Sequence, residues 1–259
     1  MTPEPTPPIP KTMIGRVSLI LQAFSVADPV LGLGAIAKRT GIPKPTVARI
    51  TSELVEADLL ERVEHGYQLG MRCFELGEMV GRSKLLRRLA LAAMADLRQA
   101  TGLTVQLTVL RGRDLVYIEI LRGRSIPEHL PSRVGGRVPA HASAAGKALM
   151  AFSDAAVTDD ILSRGLERLG PRTITDSAEL YRQLAEVRAT GVAYEVEESA
   201  EGVACASAAL LRHDQSPIAA ISLTGPTSDG DIRRFGPTIH AATLGLNRQI
   251  RANAALNTL

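Results

Sequence analysis

The stretch from Ile36 to Ile50 holds four cations, Lys38, Arg39, Lys44 and Arg49, and no acid; Glu53, Glu56, Asp58, Glu61 and Glu64 all follow it. Charge segregated in this way makes one face positive, which is what contact with phosphate groups requires. Thr46 and Arg49 stand three apart, side by side near the start of a helix, where the base edges of a major groove are reached. A guanidinium at that place pairs bidentately with guanine, which discriminates by about 1–3 kcal/mol. Lys38, Arg39 and Lys44 suit phosphate oxygens. Pro45 belongs in the first helical turn, where its missing N–H costs nothing. Arg62 and His65 fall in a short hairpin and are placed to touch the minor groove or the backbone. These residues together point to double-stranded DNA as the partner.

Other groupings carry less chemistry. His141 stands near Ser143 and Lys147, but no orienting acid completes a triad, and adjacency in sequence is not geometry. Glu195, Glu197 and Glu198 lack a histidine at ligand spacing, so a solvated turn or salt bridges explains them better than a metal. The two cysteines, Cys73 and Cys205, lie far apart and form no metal or redox pair motif. No cofactor is implied. One rival reading is an enzyme with Cys205 as nucleophile, activated by His141 or Glu195. It needs a thiolate, and the neighbouring acids push the other way. A second rival keeps DNA binding and makes Cys205 a redox switch.

At 259 residues the chain fits two domains, and 45% hydrophobic with 22% charged residues supplies two cores. Aromatics make up only 3%, with no Trp, so the cores are aliphatic and stacking platforms for single strands are disfavoured. No apolar run approaches the roughly 18 residues of a membrane span, and no signal peptide is visible, so a cytoplasmic location and no membrane partner are expected. Residues 1–11, with Pro3, Pro5, Pro7, Pro8 and Pro10, read as a disordered leader.

The elements that must position the basic residues follow at once. Val17, Ile20, Leu21 and Phe24 recur at helical spacing. A second helix is expected over Leu33–Thr40, stopped by Gly41, and a third over Lys44–Ala57 after the turn Gly41-Ile42-Pro43. Strands at Leu59–Arg62 and Tyr67–Leu69 flank His65-Gly66. Helix, helix, glycine turn, helix and hairpin make a winged helix-turn-helix over 12–72. A cationic linker helix is expected over 73–84, with Gly77 and Gly81 suggesting a break. From 85 to 259 the pattern is α+β. A hairpin of Thr104–Leu110 and Leu115–Leu121 precedes a Gly/Pro-rich stretch, Pro127–Pro139. Helices at Ala142–Phe152, Val157–Arg164 and Ala178–Ala189 lead to strands Val203–Leu211 and Ile218–Leu223. A last helix spans Ile232–Asn253. The antiparallel strands are expected to carry their helices on one side.

Three separated segments resemble IclR-type bacterial regulators. The first is Gly34-Ala-Ile-Ala-Lys-Arg-Thr-Gly-Ile-Pro-Lys-Pro-Thr-Val-Ala-Arg49, followed by Leu54–Glu61 and Tyr67–Gly70. The second is Gly136-Arg-Val-Pro-Ala-His-Ala-Ser-Ala-Ala-Gly-Lys-Ala-Leu149. The third is Gly191–Glu198 with Gly202-Val-Ala-Cys205. The resemblance implies a one-component regulator: a winged helix-turn-helix, a linker helix and a GAF- or profilin-like effector domain, assembled as homodimers that often pair into tetramers. It implies a small-molecule effector, an organic or aromatic acid. It also places Glu195, Cys205, Ser222 and Thr224 around the effector, together with the backbone of Ala144 and Ala145 at a helix start. The helix start suits an anionic head group, and Ser222 and Thr224, two apart on a strand, face one side. Glu195 stands where the family more often has Asp, and Ala144 where Gly is frequent.

Overall fold

The computed structural model describes residues 9–127 and 132–257. Pro3, Pro5, Pro7 and Pro8 of the expected leader lie outside the described residues, as does 128–131 of the Gly/Pro-rich stretch. The chain divides into two units, Met1–Gly81 and Arg82–Leu259.

In the first unit α1 (Met13–Gln22), α2 (Leu33–Thr40) and α3 (Lys44–Glu56) precede β1 (Leu60–Val63), β2 (Gly66–Leu69) and α4 (Met71–Glu78). The first helix starts at Met13 rather than Val17, because the Thr12 hydroxyl accepts the Gly15 N–H at 3.1 Å and caps it. Gly41 closes α2 at φ 70°, and the chain turns into α3. Ile20, Ile36, Val47, Ile50 and Leu54 from the three helices meet Leu31 and Leu60 in one aliphatic core. The hairpin pairs Leu60 with Leu69 and Val63 with Gly66. Leu31 adds a further bridge, exchanging two 2.9 Å backbone hydrogen bonds with Tyr67. A Cβ on Gly66 would lie 2.5 Å from the Leu31 carbonyl oxygen, so this approach admits only glycine. The segment 73–84 is not one linker helix: α4 ends at Glu78, and α5 (Gly81–Thr101) begins after Met79 and Val80.

The second unit is built on one six-stranded antiparallel sheet. Its strands are β3 (Thr104–Arg111), β4 (Asp114–Leu121), β5 (Arg137–Pro139), β6 (Ala193–Val196), β7 (Val203–Leu211) and β8 (Pro217–Pro226), in the order β5-β4-β3-β8-β7-β6. Between β5 and β6 run α6 (Ala144–Phe152), α7 (Ala155–Leu162) and α8 (Ser177–Thr190). After β8 come α9 (Gly236–Ala252) and the short α10 (Ala254–Asn257). The expected last helix Ile232–Asn253 is divided, because Ile232–Phe235 forms a 3-10 turn ahead of Gly236-Pro237.

Helices cover both faces of the sheet, not one. Leu86, Met94, Ile239 and Leu246 of α5 and α9 pack on Ala206, Ala208 and Leu223, whereas Ala148, Leu149 and Leu184 of α6 and α8 pack on Cys205, Ala209 and Ala220. The cause lies in β7, which is buried at every position and therefore presents apolar side chains to both sides. Its small residues let α6 lie close. Gly146 completes that approach, since a Cβ there would sit 1.8 Å from the Ala140 carbonyl oxygen.

Candidate functional site

In the first unit the basic residues gather on α2, α3 and the hairpin. Lys38, Lys44, Pro45, Arg49, Arg62 and His65 are exposed, and Thr46 is half-buried. Two of the cations already have partners. Arg39 donates to Asp28 at 2.7 Å and to the Ala23 carbonyl at 2.9 Å, tying α2 to the loop after α1. Arg49 pairs with Glu53 one turn along α3 at 2.7 Å. Both partners of that second pair are about half exposed, so the pair is worth under about 1 kcal/mol and is readily broken.

In the second unit the sheet brings Glu195, Cys205 and Thr224 into register across β6, β7 and β8, and Ser207 opposite Ser222. Ser222 donates to Ser207 at 3.0 Å. The Thr224 hydroxyl donates to the Gln106 side-chain oxygen Oε1 at 3.2 Å and lies 3.3 Å from the Cys205 sulfur. Glu195, Cys205, Ser222, Thr224, Gln106 and Ala145 line a cavity of about 30 Å³ between the sheet and the start of α6. Thr108, Tyr117, Ser143 and Ser199 line it as well, and pattern reading had no signal for them. The Thr108 hydroxyl is buried there without a partner.

Glu195 fills the remaining space. One carboxylate oxygen accepts the Ala144 N–H at 3.0 Å, and the other accepts the Ser199 hydroxyl. Ser143 caps the same helix end by accepting the Gly146 N–H at 3.1 Å. The chain's own carboxylate thus occupies the anion position that a helix start offers. Burial pushes Glu195 up to about 7; the Glu198 charge adds to the rise, while Ser199, Lys147 and Ala144 oppose it. Burial, aided by Glu195, pushes the Cys205 thiol up to about 12. That thiol is neutral at neutral pH, so neither rival reading through Cys205 has a thiolate to work with.

Among the described residues no group of three or more His, Cys, Asp or Glu is placed to hold a metal ion. Glu198 instead accepts from Lys147 at 2.6 Å, and Lys147, fully buried in α6, also donates to Gln183 at 2.8 Å. Glu197 takes the Gly202 N–H at 3.1 Å and closes the turn between β6 and β7. His141 is bonded to the Glu167 carbonyl at 2.9 Å.

Two family models match this arrangement. The IclR helix-turn-helix domain covers residues 14–64, and the bacterial transcriptional regulator IclR C-terminal domain covers residues 79–244. The chain belongs to the IclR family. It is a DNA-binding transcriptional regulator with a C-terminal ligand-binding domain, not an enzyme. It is 32% identical to the HTH-type transcriptional regulator XynR of Escherichia coli, over 92% of this chain and 96% of that protein. It is 27% identical to the transcriptional repressor IclR of the same organism, over 85% and 83%. The crystal structure of an IclR homolog complexed with 4-hydroxybenzoate from Microbacterium hydrocarbonoxydans superposes with a TM-score of 0.82 at 30% identity, covering 93% of this chain and all of that one. No helix among the described residues is long and apolar enough to cross a membrane.

The Glu195 environment has a stability consequence. Its folded value of about 7 lies above the ordinary 4.5, so between those values the folded chain holds a proton that the unfolded chain releases. Stability therefore falls as pH rises through that window and levels off above it, a change on the order of 3 kcal/mol. Glu195→Gln keeps an acceptor for Ala144 and removes the titration. Its melting temperature, followed by circular dichroism, should gain on the wild type from pH 5 to pH 7.5; parallel curves would show that Glu195 is not buried as described.

Proposed function

We propose that this IclR-family chain binds its operator as a homodimer, or as a pair of dimers, and that a small organic or aromatic acid entering the Glu195 cavity changes operator affinity. The observation that carries the effector half is Glu195 on the start of α6, a carboxylate resting where a ligand carboxylate would bind. A space of about 30 Å³ is one water's share of volume, far too small for an aromatic acid. Entry therefore requires Glu195 to give up the Ala144 N–H and turn aside while still bordering the ligand. Room exists on its outer side, where it also borders a groove of about 700 Å³ between α8 and β6. The homolog that binds 4-hydroxybenzoate makes that acid a reasonable first probe.

A bound carboxylate next to ionised Glu195 would place like charges together, with Glu198 close by and Lys147 opposing them. Binding is then accompanied by proton uptake, and affinity falls roughly ten-fold per pH unit once pH exceeds about 7. The test is a calorimetric titration of benzoate and 4-hydroxybenzoate between pH 6 and pH 8.5, with operator affinity measured in parallel. Tighter binding at low pH, loss of that dependence in Glu195→Gln and a changed operator affinity support the reading. Binding with no effect on DNA, or with no proton uptake, counts against it.

On the DNA side the proposal gives Thr46 and Arg49 the base edges. Lys38, Arg39, Lys44 and Pro45 line the backbone, and Arg62 and His65 form the wing. Arg49→Ala should remove about 1–3 kcal/mol of preference for the operator over unrelated DNA, read by fluorescence anisotropy. Unchanged preference would remove the assignment.

Self-association is supported by α4, which buries none of its residues and leaves Met71, Phe74 and Leu76 exposed, with Met79 and Val80 following it. Apolar surface of that kind marks an interface, and the proposed occupant is a second copy of this chain. Phe74→Asp should yield monomers in sedimentation velocity and weaken operator binding at least ten-fold; a dimer that persists places the interface elsewhere.

A further inference from the structure

At the opposite end of the sheet from the Glu195 turn, three arginines converge on a second cavity. Its volume is about 210 Å³, and it is lined by Arg82 in the first turn of α5, Arg111 at the end of β3 and Arg212 just beyond β7. Leu110, Leu149 and Ile218 form an apolar wall, and no acid borders the space. It shares no lining residue with the Glu195 cavity.

The guanidiniums are not drawn together by carboxylates. Arg212 donates to the Leu256 carbonyl at 3.1 Å and to the Ser216 hydroxyl at 2.8 Å, both neutral acceptors. Asp114, opposite Arg111 in the hairpin register, is bonded to Arg137 instead at 3.3 Å. Among the described residues Arg82 and Arg111 form no ion pair. Burial and the charges of Arg212 and Arg111 depress the Arg82 value, so these groups oppose one another across the cavity. Like charges held together without a counter-charge are costly, and a multivalent anion relieves the cost. Guanidinium forks match the oxygens of phosphate in bidentate geometry.

We propose that Arg82, Arg111 and Arg212 form a binding site for a small phosphate-bearing dianion, with room against Leu110, Leu149 and Ile218 for a short apolar substituent. The charge balance decides the class. Three cations around one cavity suit a doubly charged oxyanion better than a monocarboxylate. The apolar wall suits a phosphate monoester better than bare phosphate.

The full-length protein in a phosphate-free buffer, at constant ionic strength, provides the test. Inorganic phosphate and phenyl phosphate are titrated by calorimetry and by thermal shift. The expected result is saturable binding, tighter for phenyl phosphate. Each of Arg82→Gln and Arg111→Gln should weaken it roughly ten-fold or more, as loss of a charged hydrogen bond does, and Thr224→Ala in the other cavity should leave it unchanged. Among the described residues neither arginine side chain makes a hydrogen bond, so the variants are expected to fold as the wild type does. Absence of saturable binding overturns the proposal, as does binding that survives both substitutions. If the variants instead lower operator affinity and its salt dependence while the free protein binds no phosphate, the cluster is a contact to the DNA backbone and the proposal falls. If they change the oligomeric state without phosphate binding, an acid of a second copy is the counter-charge, and it falls equally.

Discussion

The C-terminal unit depends on how a carboxylate is kept inside an aliphatic protein. Taking an ionised carboxylate out of water costs several kcal/mol even after relaxation, and only donors and nearby positive charge offset that cost. Glu195 has the Ala144 N–H, the Ser199 hydroxyl and the field of the α6 start, with Lys147 three residues further along the same helix. These hold it half-ionised near neutral pH rather than fully charged or fully neutral. The position of α6 is therefore set twice: by packing, with Gly146 against Ala140 over the small residues of β7, and by charge. A helix held in this way has little freedom to shift unless the carboxylate at its end is replaced.

The Lys147–Glu198 pair makes the same point from the other side. Lys147 is fully buried and Glu198 nearly so, and one oxygen of Glu198 has no partner among the described residues. Such a pair gains little net stability over an apolar substitute, yet losing either member is expensive. What it does supply is registry. It ties α6 to the turn after β6 and, through Gln183, to α8, so the strand that carries Glu195 cannot slide along the helix. The two acids that flank the Glu197 turn thus have different tasks. Glu198 fixes the frame, and Glu195 within it is the group whose partner can change.

The N-terminal unit was more legible in the sequence than this cavity, for physical reasons. Its signals are local. Gly41 with its left-handed φ ends α2, Pro45 opens α3, and Val47, Ile50 and Leu54 mark one helical face, so Leu33–Thr40 is placed to the residue. In the larger unit β7 is equally plain, because nine apolar or small residues run without a break. The edge strands were not. Arg137–Pro139 is three residues long and ends on proline, and Ala193–Val196 is four, too short for alternation to show. Helices on both faces follow from β7 being buried throughout, which the run itself contained but strand counting did not use. The residues placed around the effector came from resemblance alone. The Lys147–Glu198 pair spans 51 positions, and no local pattern announces a contact made across that distance.

Charge bookkeeping in the first seventy residues bears on how DNA is read. Seven cations and seven acids leave that segment neutral, and the structure shows where part of the positive charge goes. Arg39 is committed to Asp28 and the Ala23 carbonyl, and Arg49 to Glu53. Unspecific attraction to the duplex must then be weak for one copy, since it rests on the few cations left exposed. An affinity built from weak halves requires that two halves act together, because linking converts the second contact into an intramolecular one. The exposed apolar side chains of α4 are the surface that the proposed homodimer would use. If two copies bind together, as proposed, the near-neutral charge of the reading domain gives the reason: a single copy carries little charge to hold DNA at sites it does not recognise.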